Sequence, residues 1–381
     1  MESGKRAWRE IDLDAIESNA ALAREIARPP VKLMAVVKAD AYGHGAVEAS
    51  KACIAGGADW LGVALCEEGL ALRKEGITAP ILVLGFTPEP IMEEAVASGL
   101  SLAIYSAEGA NALSRAAAKL GKAARVHIKA DTGMSRLGFL PESGAMDEIC
   151  RIALLPGLVM EGLFTHLAKS DSIDLSYAKE QIEKFAWLRD GLKAKGLSFP
   201  LCHAANSGGI LAGEEYHLDM VRAGIILYGL DPSSEVKASR QGFKPAMSVR
   251  AHASLVKRIA KGTSVSYGRK FIAPMDMDIA TVPVGYADGY CRRMSKGGRV
   301  LVGGQYAPVV GTVCMDQFMV DASAVPGIKA GSVVTLMGRQ GGRVISAEDL
   351  AQVADTIGYE IVCGFNTRMP RVFTRGSKAL P

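Results

Sequence analysis

The segment AVVKADAYGHGA (35–46) places a lysine, Lys38, directly after a continuous apolar run. A lysine at the end of a buried strand either extends its ammonium group to solvent or takes part in chemistry. Burial lowers the pKa of a lysine, and the neutral amine can then attack an aldehyde to form a Schiff base. Lys38 is therefore the first candidate catalytic residue, with ordinary solvent exposure as the alternative.

Other polar groups follow apolar runs later in the chain, and they suggest what Lys38 could react with. The segment NSGG (206–209) offers a hydroxyl group, backbone N–H groups and glycines, which together can hold a phosphate without a basic side chain. A reactive lysine opposite a phosphate site suggests the cofactor pyridoxal 5'-phosphate. The candidates at these positions are the side chains of His166, Asn206, Ser207 and Arg222 and the backbone groups of Gly224 and Ile225.

Eight short apolar runs must position these groups. Helical segments such as 108–122 and 177–196 lie between them, which is typical of a parallel sheet covered on both faces. Eight such units predict a closed (β/α)8 barrel, in which functional groups collect at the carboxyl ends of the strands. An open doubly wound sheet is the alternative. The predicted strands are 32–39, 60–65, 81–86, 101–106, 124–131, 158–167, 199–206 and 220–229.

The pattern changes after about residue 240. Strand-like segments separated by glycine turns replace the alternation of strands and helices, for example 247–259, 278–290, 299–322 and 331–338. This pattern predicts a second, mostly β domain. We therefore predict a barrel domain over 1–240 and a β-rich domain over 241–381.

Composition limits the classes of function. The chain has 381 residues, 49% of them hydrophobic and 22% charged, and its net charge of +4 gives no reason to expect a nucleic-acid partner. No apolar stretch is long enough to predict a membrane helix, and the N-terminal sequence does not resemble a secretory signal. The seven cysteines are scattered without a CxxC pair, so neither a disulfide framework nor a zinc site is predicted. These features favour a cytoplasmic enzyme.

The segment around Lys38 resembles the cofactor-attachment motif of the alanine racemases, which are two-domain members of the fold type III pyridoxal-phosphate enzymes. The resemblance continues in order along essentially the whole chain. The segments that carry it are HIKADTGMSRLGF (127–139), THLAKSD (165–171), AANSGG (204–209), VRAGIILYGLDP (221–232), VSYGRKF (265–271), VGYADGY (284–290), GTVCMDQFMVD (311–321) and GYEIVCGFNTRMPRVF (358–373).

The resemblance implies that Lys38 carries the cofactor and also acts as a base on one face of the substrate. Tyr267, supplied by the second domain of a partner subunit, looks like the base on the other face. An unperturbed tyrosine titrates near pH 10, so it needs a partner, and His166 resembles the histidine in that role. An obligate homodimer with composite sites follows from this assignment.

Arg222 resembles the residue that faces the pyridine nitrogen of the cofactor. Arginine only donates hydrogen bonds, so that nitrogen must accept one and stay unprotonated, which favours return of the proton to the α-carbon. The cofactor-binding residues implied are Lys38, Tyr42, His166, Asn206, Ser207, Arg222, Gly224, Ile225 and Tyr359.

The same resemblance implies the remaining site residues. Arg136 and Met315 would bind the substrate, and Cys314 and Asp316 would come with Met315 from the partner chain. Lys129 is expected to be carbamylated, because an unmodified lysine there would repel Arg136. The residues expected at the entrance are Asp171, Tyr286, Arg292 and Asp316.

The expected function is thus pyridoxal-phosphate-dependent racemisation of alanine, supplying D-alanine for peptidoglycan. A bulky phenol at Tyr359 is expected to leave room for a methyl group, so alanine is preferred over serine incompletely. The alternative within the family is a serine or broader-specificity racemase. A non-catalytic carrier of the cofactor and a barrel decarboxylase or aldolase are the rivals from other classes.

Overall fold

The computed structural model describes residues 4–376, 378 and 379, and of Ala379 only its place in a strand. The chain forms two compact units. The first comprises Ile16–Ala41 and Ala46–Phe243, and the second comprises the described residues up to Ala15, Tyr42–Gly45 and the described residues from Lys244 onward. The functional division into 1–240 and 241–381 stays a prediction, and its positions 1–3, 377, 380 and 381 lie outside the described residues.

Strand β1 (Ala7–Asp12) opens the chain and belongs to the sheet of the second unit. The eight strands that follow form the sheet of the first unit, with the order β8-β7-β6-β5-β4-β3-β2-β9 and every pairing parallel. They are β2 (Lys32–Val36), β3 (Trp60–Val63), β4 (Ile81–Val83), β5 (Ser101–Ile104), β6 (Ala124–Lys129), β7 (Leu158–Phe164), β8 (Leu201–His203) and β9 (Met220–Ala223).

The sheet closes into a barrel. The backbone N–H groups of Asp219 and Arg222 donate to the carbonyl oxygens of Cys202 and Ala205, each at 3.0 Å, and so join the two ends of the strand order. The predicted (β/α)8 barrel is confirmed, and the open sheet is excluded. Each strand lies inside one predicted apolar run and is shorter than it, because the polar residues at the ends of the runs belong to loops.

The barrel strands are buried on both faces because helices cover their outer side. Helix α7 buries Ala178, Phe185, Leu188 and Leu192, which share one helical face. The helices up to residue 243 are α1 (Leu13–Ala27), α2 (Ala46–Ala55), α3 (Cys66–Lys74), α4 (Glu89–Ala97), α5 (Ala107–Leu120), α6 (Ser143–Ala153), α7 (Ser176–Ala194) and α8 (Ser207–Ala212).

The second unit is mostly β, as predicted. Ten strands follow the order β11-β14-β17-β16-β15-β18-β10-β1-β20-β21, β19 pairs with β18, and β12 pairs with β13. The strands are β10 (Met247–His252), β11 (Leu255–Ile259), β12 (Ser264–Val265), β13 (Phe271–Ile272), β14 (Met277–Val282), β15 (Arg299–Val302), β16 (Gln305–Val310), β17 (Phe318–Asp321), β18 (Val333–Gln340), β19 (Arg343–Ile345), β20 (Arg371–Arg375) and β21 (Lys378–Ala379). Its helices are α9 (Ala347–Ala354) and α10 (Gly358–Gly364).

In the described part of the chain, no helix combines the length and apolar character that a bilayer crossing requires. All seven cysteines are described, and none forms a disulfide.

Candidate active site

Lys38 follows β2 and begins a left-handed turn. Residues 39–42 all have φ between 51° and 55°, a region that L-residues other than glycine visit rarely and singly. The turn is held in part by Asp40, whose Oδ1 accepts the backbone N–H of Ala46 at 2.8 Å. Lys38 therefore precedes an unusual backbone conformation that the surrounding contacts must stabilise.

Arg222 projects from β9 and is 3% exposed. Its terminal nitrogens donate to Nδ1 of His203 (2.8 Å), the carbonyl oxygens of Thr165 (2.8 Å) and Ala204 (2.9 Å), and Nδ1 of His166 (3.2 Å). No carboxylate among the described residues forms an ion pair with it. Burial lowers the pKa of Arg222 to about 9, so it remains a cation at neutral pH.

A buried chain of hydrogen bonds runs from Arg222 through the barrel. His203 Nε2 lies 2.9 Å from His127 Nδ1, and His127 Nε2 lies 3.3 Å from Glu161 Oε2, which also accepts the hydroxyl of Ser101 at 2.5 Å. Because arginine only donates, His203 must accept at Nδ1 and donate from Nε2, and His127 must do the same toward Glu161. Arg222, which donates at one end, and the Glu161 carboxylate, which accepts at the other, thus require the same direction along the whole series of hydrogen bonds.

The protonation states of the residues between Arg222 and Glu161 agree with this direction of the hydrogen bonds. Burial, reinforced by the charge of Arg222, lowers the pKa of His203 well below its ordinary value, and burial also lowers the pKa of His127. Burial raises the pKa of Glu161, but hydrogen bonds from His127 and Ser101 more than offset this and leave the pKa lowered. Two neutral imidazoles therefore connect a carboxylate to the guanidinium.

His166 lies just beyond β7 in a cationic environment. Burial lowers its pKa well below the ordinary value, and the charges of Arg222, Lys129, Arg136 and Lys38 lower it further. The charge of Lys38 is therefore part of the electrostatic environment of His166. A neutral His166 that accepts from Arg222 at Nδ1 carries its proton on Nε2.

Lys129 ends β6, and its Nζ donates to the carbonyl oxygen of Ala130 at 2.8 Å. Burial, followed by the charge of Arg222, lowers its pKa to about 7, although Asp131 opposes the shift. Asp131 also accepts three backbone N–H groups of the next loop, including that of Arg136 at 3.0 Å. Arg136 is exposed, and its charge adds to the lowering of the Lys129 pKa.

The predicted phosphate site is formed by two short helical segments. Asn206 caps α8, with Oδ1 accepting the N–H of Gly209 at 3.0 Å, and the hydroxyl of Ser207 accepts the N–H of Gly224 at 2.9 Å. A 3-10 turn begins at Ile225. The first-turn N–H groups of such segments lack acceptors within the segment, so this donor set suits a phosphate.

In the second unit, Tyr267 and Met315 lie on an exposed surface and are 71% and 53% exposed, respectively. They line a shallow depression with Cys314 and Asp316. Asp316 forms an ion pair with Arg368 at 2.6 Å. This depression is called the Tyr267 surface below, and it is defined by Tyr267, Cys314, Met315 and Asp316.

Tyr286 is tied to the Tyr267 surface because its backbone N–H donates to the carbonyl oxygen of Cys314 at 3.1 Å. Arg292 begins a 3-10 turn and lines a separate basic depression with Lys270 and Arg293.

Tyr42 and Tyr359 meet within the second unit, with ring centroids 6.2 Å apart. Burial raises the pKa of Tyr42, and Tyr359 and Cys363 raise it further, so the phenol keeps its proton at neutral pH. Asp171 belongs to the first unit, where its carbonyl oxygen accepts the hydroxyl of Ser233.

The predicted site residues thus form separate groups. His166, Arg222 and Lys129 come together in the barrel with the charges of Lys38 and Arg136 near them. Tyr42 meets Tyr359, and Met315 and Asp316 lie beside Tyr267. The sequence analysis missed His203, His127 and Glu161, although polar residues inside apolar strands, with His127 two residues before Lys129 on the same face of β6, were a usable signal.

A closed parallel barrel with lysine, arginine and histidine side chains at the carboxyl ends of its strands, together with a mostly β unit, defines a barrel enzyme. Family models described as "Alanine racemase, N-terminal domain" and "Alanine racemase, C-terminal domain" match residues 11–232 and 246–373. The protein belongs to the alanine racemase family, and it is an isomerase of the amino-acid racemase class.

Individual relatives are similar to this chain over nearly its whole length. The alanine racemase of Methanococcus maripaludis is 45% identical over 366 residues, which cover 96% of this chain and 98% of that protein. The structure of alanine racemase from Clostridium difficile 630 has a TM-score of 0.96 at 37% identity, covering 100% of this chain and 98% of that one. The Bacillus anthracis alanine racemase structure with bound L-Ala-P has a TM-score of 0.92 at 36% identity, covering 99% of this chain and 97% of that one.

Proposed function

We propose that this protein interconverts L-alanine and D-alanine with pyridoxal 5'-phosphate as its cofactor. The observation that carries the proposal is Arg222, a buried cation with no carboxylate partner among the described residues. When bound, the cofactor would withdraw electrons from the α-carbon of the substrate, and Arg222, which can only donate hydrogen bonds, would keep its pyridine nitrogen unprotonated and so limit this withdrawal. Return of the proton to the α-carbon would then be favoured over transamination, in which the proton goes to the cofactor instead.

The residues present fit this cofactor. Lys38 would hold it covalently. The donor set around Ser207, Gly224 and Ile225, together with Asn206 and the protonated Tyr42, suits its phosphate. Tyr359, as the ring neighbour of Tyr42, is assigned to the same cofactor.

Two proton carriers act on opposite faces of the substrate. Lys38 moves a proton at Nζ, and Tyr267 of a second copy moves one at its phenolic oxygen. His166 keeps its proton on Nε2, so we assign it to donate a hydrogen bond to that phenol. A donated hydrogen bond stabilises the tyrosinate and lowers the tyrosine pKa toward neutrality. The proposed role of His166 is therefore donation rather than uptake of the proton.

The substrate carboxylate is assigned to Arg136 and to the backbone N–H of Met315 of the second copy. Lys129, with its pKa lowered to about 7, is half neutral at physiological pH and can react with carbon dioxide. The amine nitrogen forms a bond to the carbon of carbon dioxide and releases one proton to solvent, and the resulting carbamate anion would remove the repulsion among Lys129, Arg136 and Arg222. An intact mass that shows an unmodified Lys129 in bicarbonate buffer would contradict this assignment.

We assign the entrance of the site to Asp171, Tyr286, Arg292 and Asp316. With Tyr359 near the substrate β-carbon, kcat/KM for L-alanine should exceed that for L-serine by roughly 10-fold, since one pocket group contributes about 1–3 kcal/mol. Equal values would instead favour a serine or broader-specificity racemase.

The exposure of Tyr267 supports an obligate homodimer with two composite sites. By analogy with the family, we also propose that the protein supplies D-alanine for peptidoglycan and that it works in the cytoplasm.

The test is to incubate the protein and pyridoxal phosphate with L-alanine in deuterated water. We expect the α-hydrogen to exchange while optical rotation falls to zero, with an absorbance band near ~420 nm that borohydride removes, leaving a reduced adduct on Lys38. Release of carbon dioxide or acetaldehyde would instead support a decarboxylase or an aldolase. Cofactor binding without exchange would support a non-catalytic carrier.

A further inference from the structure

The left-handed turn after Lys38 must be stabilised from outside. An L-residue in this conformation brings its Cβ too close to the following carbonyl oxygen, and four consecutive residues, 39–42, adopt it. The turn lies where the parallel ladder between β2 and β3 ends, since the last backbone bond there joins the N–H of Val37 to the carbonyl oxygen of Gly62 at 2.8 Å. Beyond that bond the two strands continue into separate loops.

One carboxylate bridges the two loops. Oε1 of Glu68 accepts the backbone N–H of Ala39 at 2.6 Å, the first residue of the turn after Lys38. Oε2 accepts the N–H groups of Ala64 at 2.8 Å and Leu65 at 3.1 Å, in the loop that follows β3. The Glu68 side chain thus joins the two segments by hydrogen bonds just beyond the last backbone hydrogen bond between β2 and β3.

Part of this arrangement is an ordinary helix cap. Glu68 is the third residue of α3, and its bond to Leu65 is the reciprocal half of a capping box. A cap requires only Oε2, however. The bond from Ala39 to Oε1 leaves the helix, crosses to the neighbouring strand and ends next to the reactive lysine.

We propose that Glu68 is a positioning residue that holds the left-handed turn and thereby fixes the direction in which Lys38 leaves β2. This inference rests on the proposed function only for the role of Lys38. The role of Glu68 in holding the turn rests on its hydrogen bonds to Ala39, Ala64 and Leu65 and does not depend on the proposed function.

The experiment compares Glu68→Ala, Glu68→Gln and Glu67→Gln in the full-length protein. Glu67 lies in the same first turn of α3 and is exposed, so Glu67→Gln removes the same charge near the helix N-terminus without touching the turn. Three quantities are measured: amide hydrogen exchange at Ala39, the yield of borohydride-trapped Lys38 at fixed pyridoxal phosphate, and kcat and KM for L-alanine.

In Glu68→Ala we expect Ala39 exchange to accelerate by about 10-fold or more, because its acceptor is lost. The trapped yield should fall, and kcat should fall by roughly 10–100-fold with a smaller change in KM, because misplacement of a reacting group acts mainly on the chemical step. Glu68→Gln keeps one acceptor oxygen, so its values should lie between those of Glu68→Ala and the wild type. Glu67→Gln should match the wild type.

Unchanged Ala39 exchange and unchanged kcat in Glu68→Ala would overturn the proposal. So would equal effects in Glu67→Gln, because these would indicate a loss of helix charge only. If Glu68→Ala does not fold, the same comparison is made between Glu68→Gln and Glu67→Gln. If the wild type neither racemises alanine nor binds the cofactor, the proposed function fails, while the exchange at Ala39 still decides the role of Glu68.

Discussion

The barrel group of Lys129, His166 and Arg222 differs from the Tyr267 surface in how deeply the described residues bury it. In the barrel, burial and hydrogen bonds set the protonation states in advance: Arg222 is 3% exposed, and its histidine neighbours are held neutral. Tyr267 is 71% exposed, so the described residues bury less than a third of its surface. In the proposed scheme, the barrel supplies the electrostatic environment, and the Tyr267 surface supplies a phenol whose environment comes from a second copy of the chain.

The largest effect is expected from removal of the barrel lysine. Lys38→Ala should reduce racemisation by about 10⁴-fold or more, because a proton carrier and the covalent attachment are lost together. The measurement is exchange of the α-hydrogen of L-alanine in deuterated water. Lys51→Ala is the matched control, since Lys51 forms an exposed ion pair with Glu48 on α2, and it should retain full activity. An active Lys38→Ala protein would contradict the assignment.

Tyr267→Phe tests the proposed role of the Tyr267 surface in proton transfer. It should lower kcat by roughly 10²–10⁴-fold, the usual contribution of one acid–base group, while the absorbance of the bound cofactor persists. Tyr306→Phe is the control, because it removes a phenol whose hydroxyl donates to the carbonyl oxygen of Val344, a bond made inside the second unit. Loss of cofactor absorbance in Tyr267→Phe would show that this residue belongs to binding instead.

Glu161→Leu tests whether the carboxylate directs the histidine chain. With the acceptor gone, His127 should lose its single tautomer, whereas Arg222 still fixes that of His203, and ¹⁵N chemical shifts of histidine-labelled protein report both directly. Stability should fall by about 1–3 kcal/mol, the cost of an unsatisfied buried donor. Glu161→Gln keeps an acceptor oxygen and should preserve both tautomers. Unchanged ¹⁵N shifts in Glu161→Leu would show that Arg222 alone sets the direction.

A further prediction concerns the pH dependence of stability through Lys129. Its folded pKa is about 7, below the ordinary value of about 10.4, so between these values the unfolded chain binds a proton that the folded chain does not. The free energy of unfolding should therefore rise with pH across this window and be lowest below pH 7. In carbon-dioxide-free buffer, Lys129→Met should remove that increment. In bicarbonate, a carbamylated wild type should lose it as well.

The barrel could be predicted from the sequence because its strands are continuous apolar runs with helices between them. The polar ends of these runs also indicated Lys38, His166 and Arg222. The left-handed turn at residues 39–42 could not be predicted, since Ala and Asp give no local signal for it. The place of β1 beside β10 and β20 depends on pairing with residues more than 200 positions away. Glu161 lies in an apolar strand, and its partners come from other strands.

The central claim is that the barrel of one copy and the Tyr267 surface of another form one active site. The direct test mixes inactive Lys38→Ala and Tyr267→Phe proteins under conditions that allow subunits to exchange. A mixed dimer has one site with both Lys38 and Tyr267 intact, so the equilibrated mixture should recover about a quarter of wild-type activity. If each site were built within one chain, every site in the mixture would carry a lesion. Activity that stays at the level of the separate variants would contradict the account.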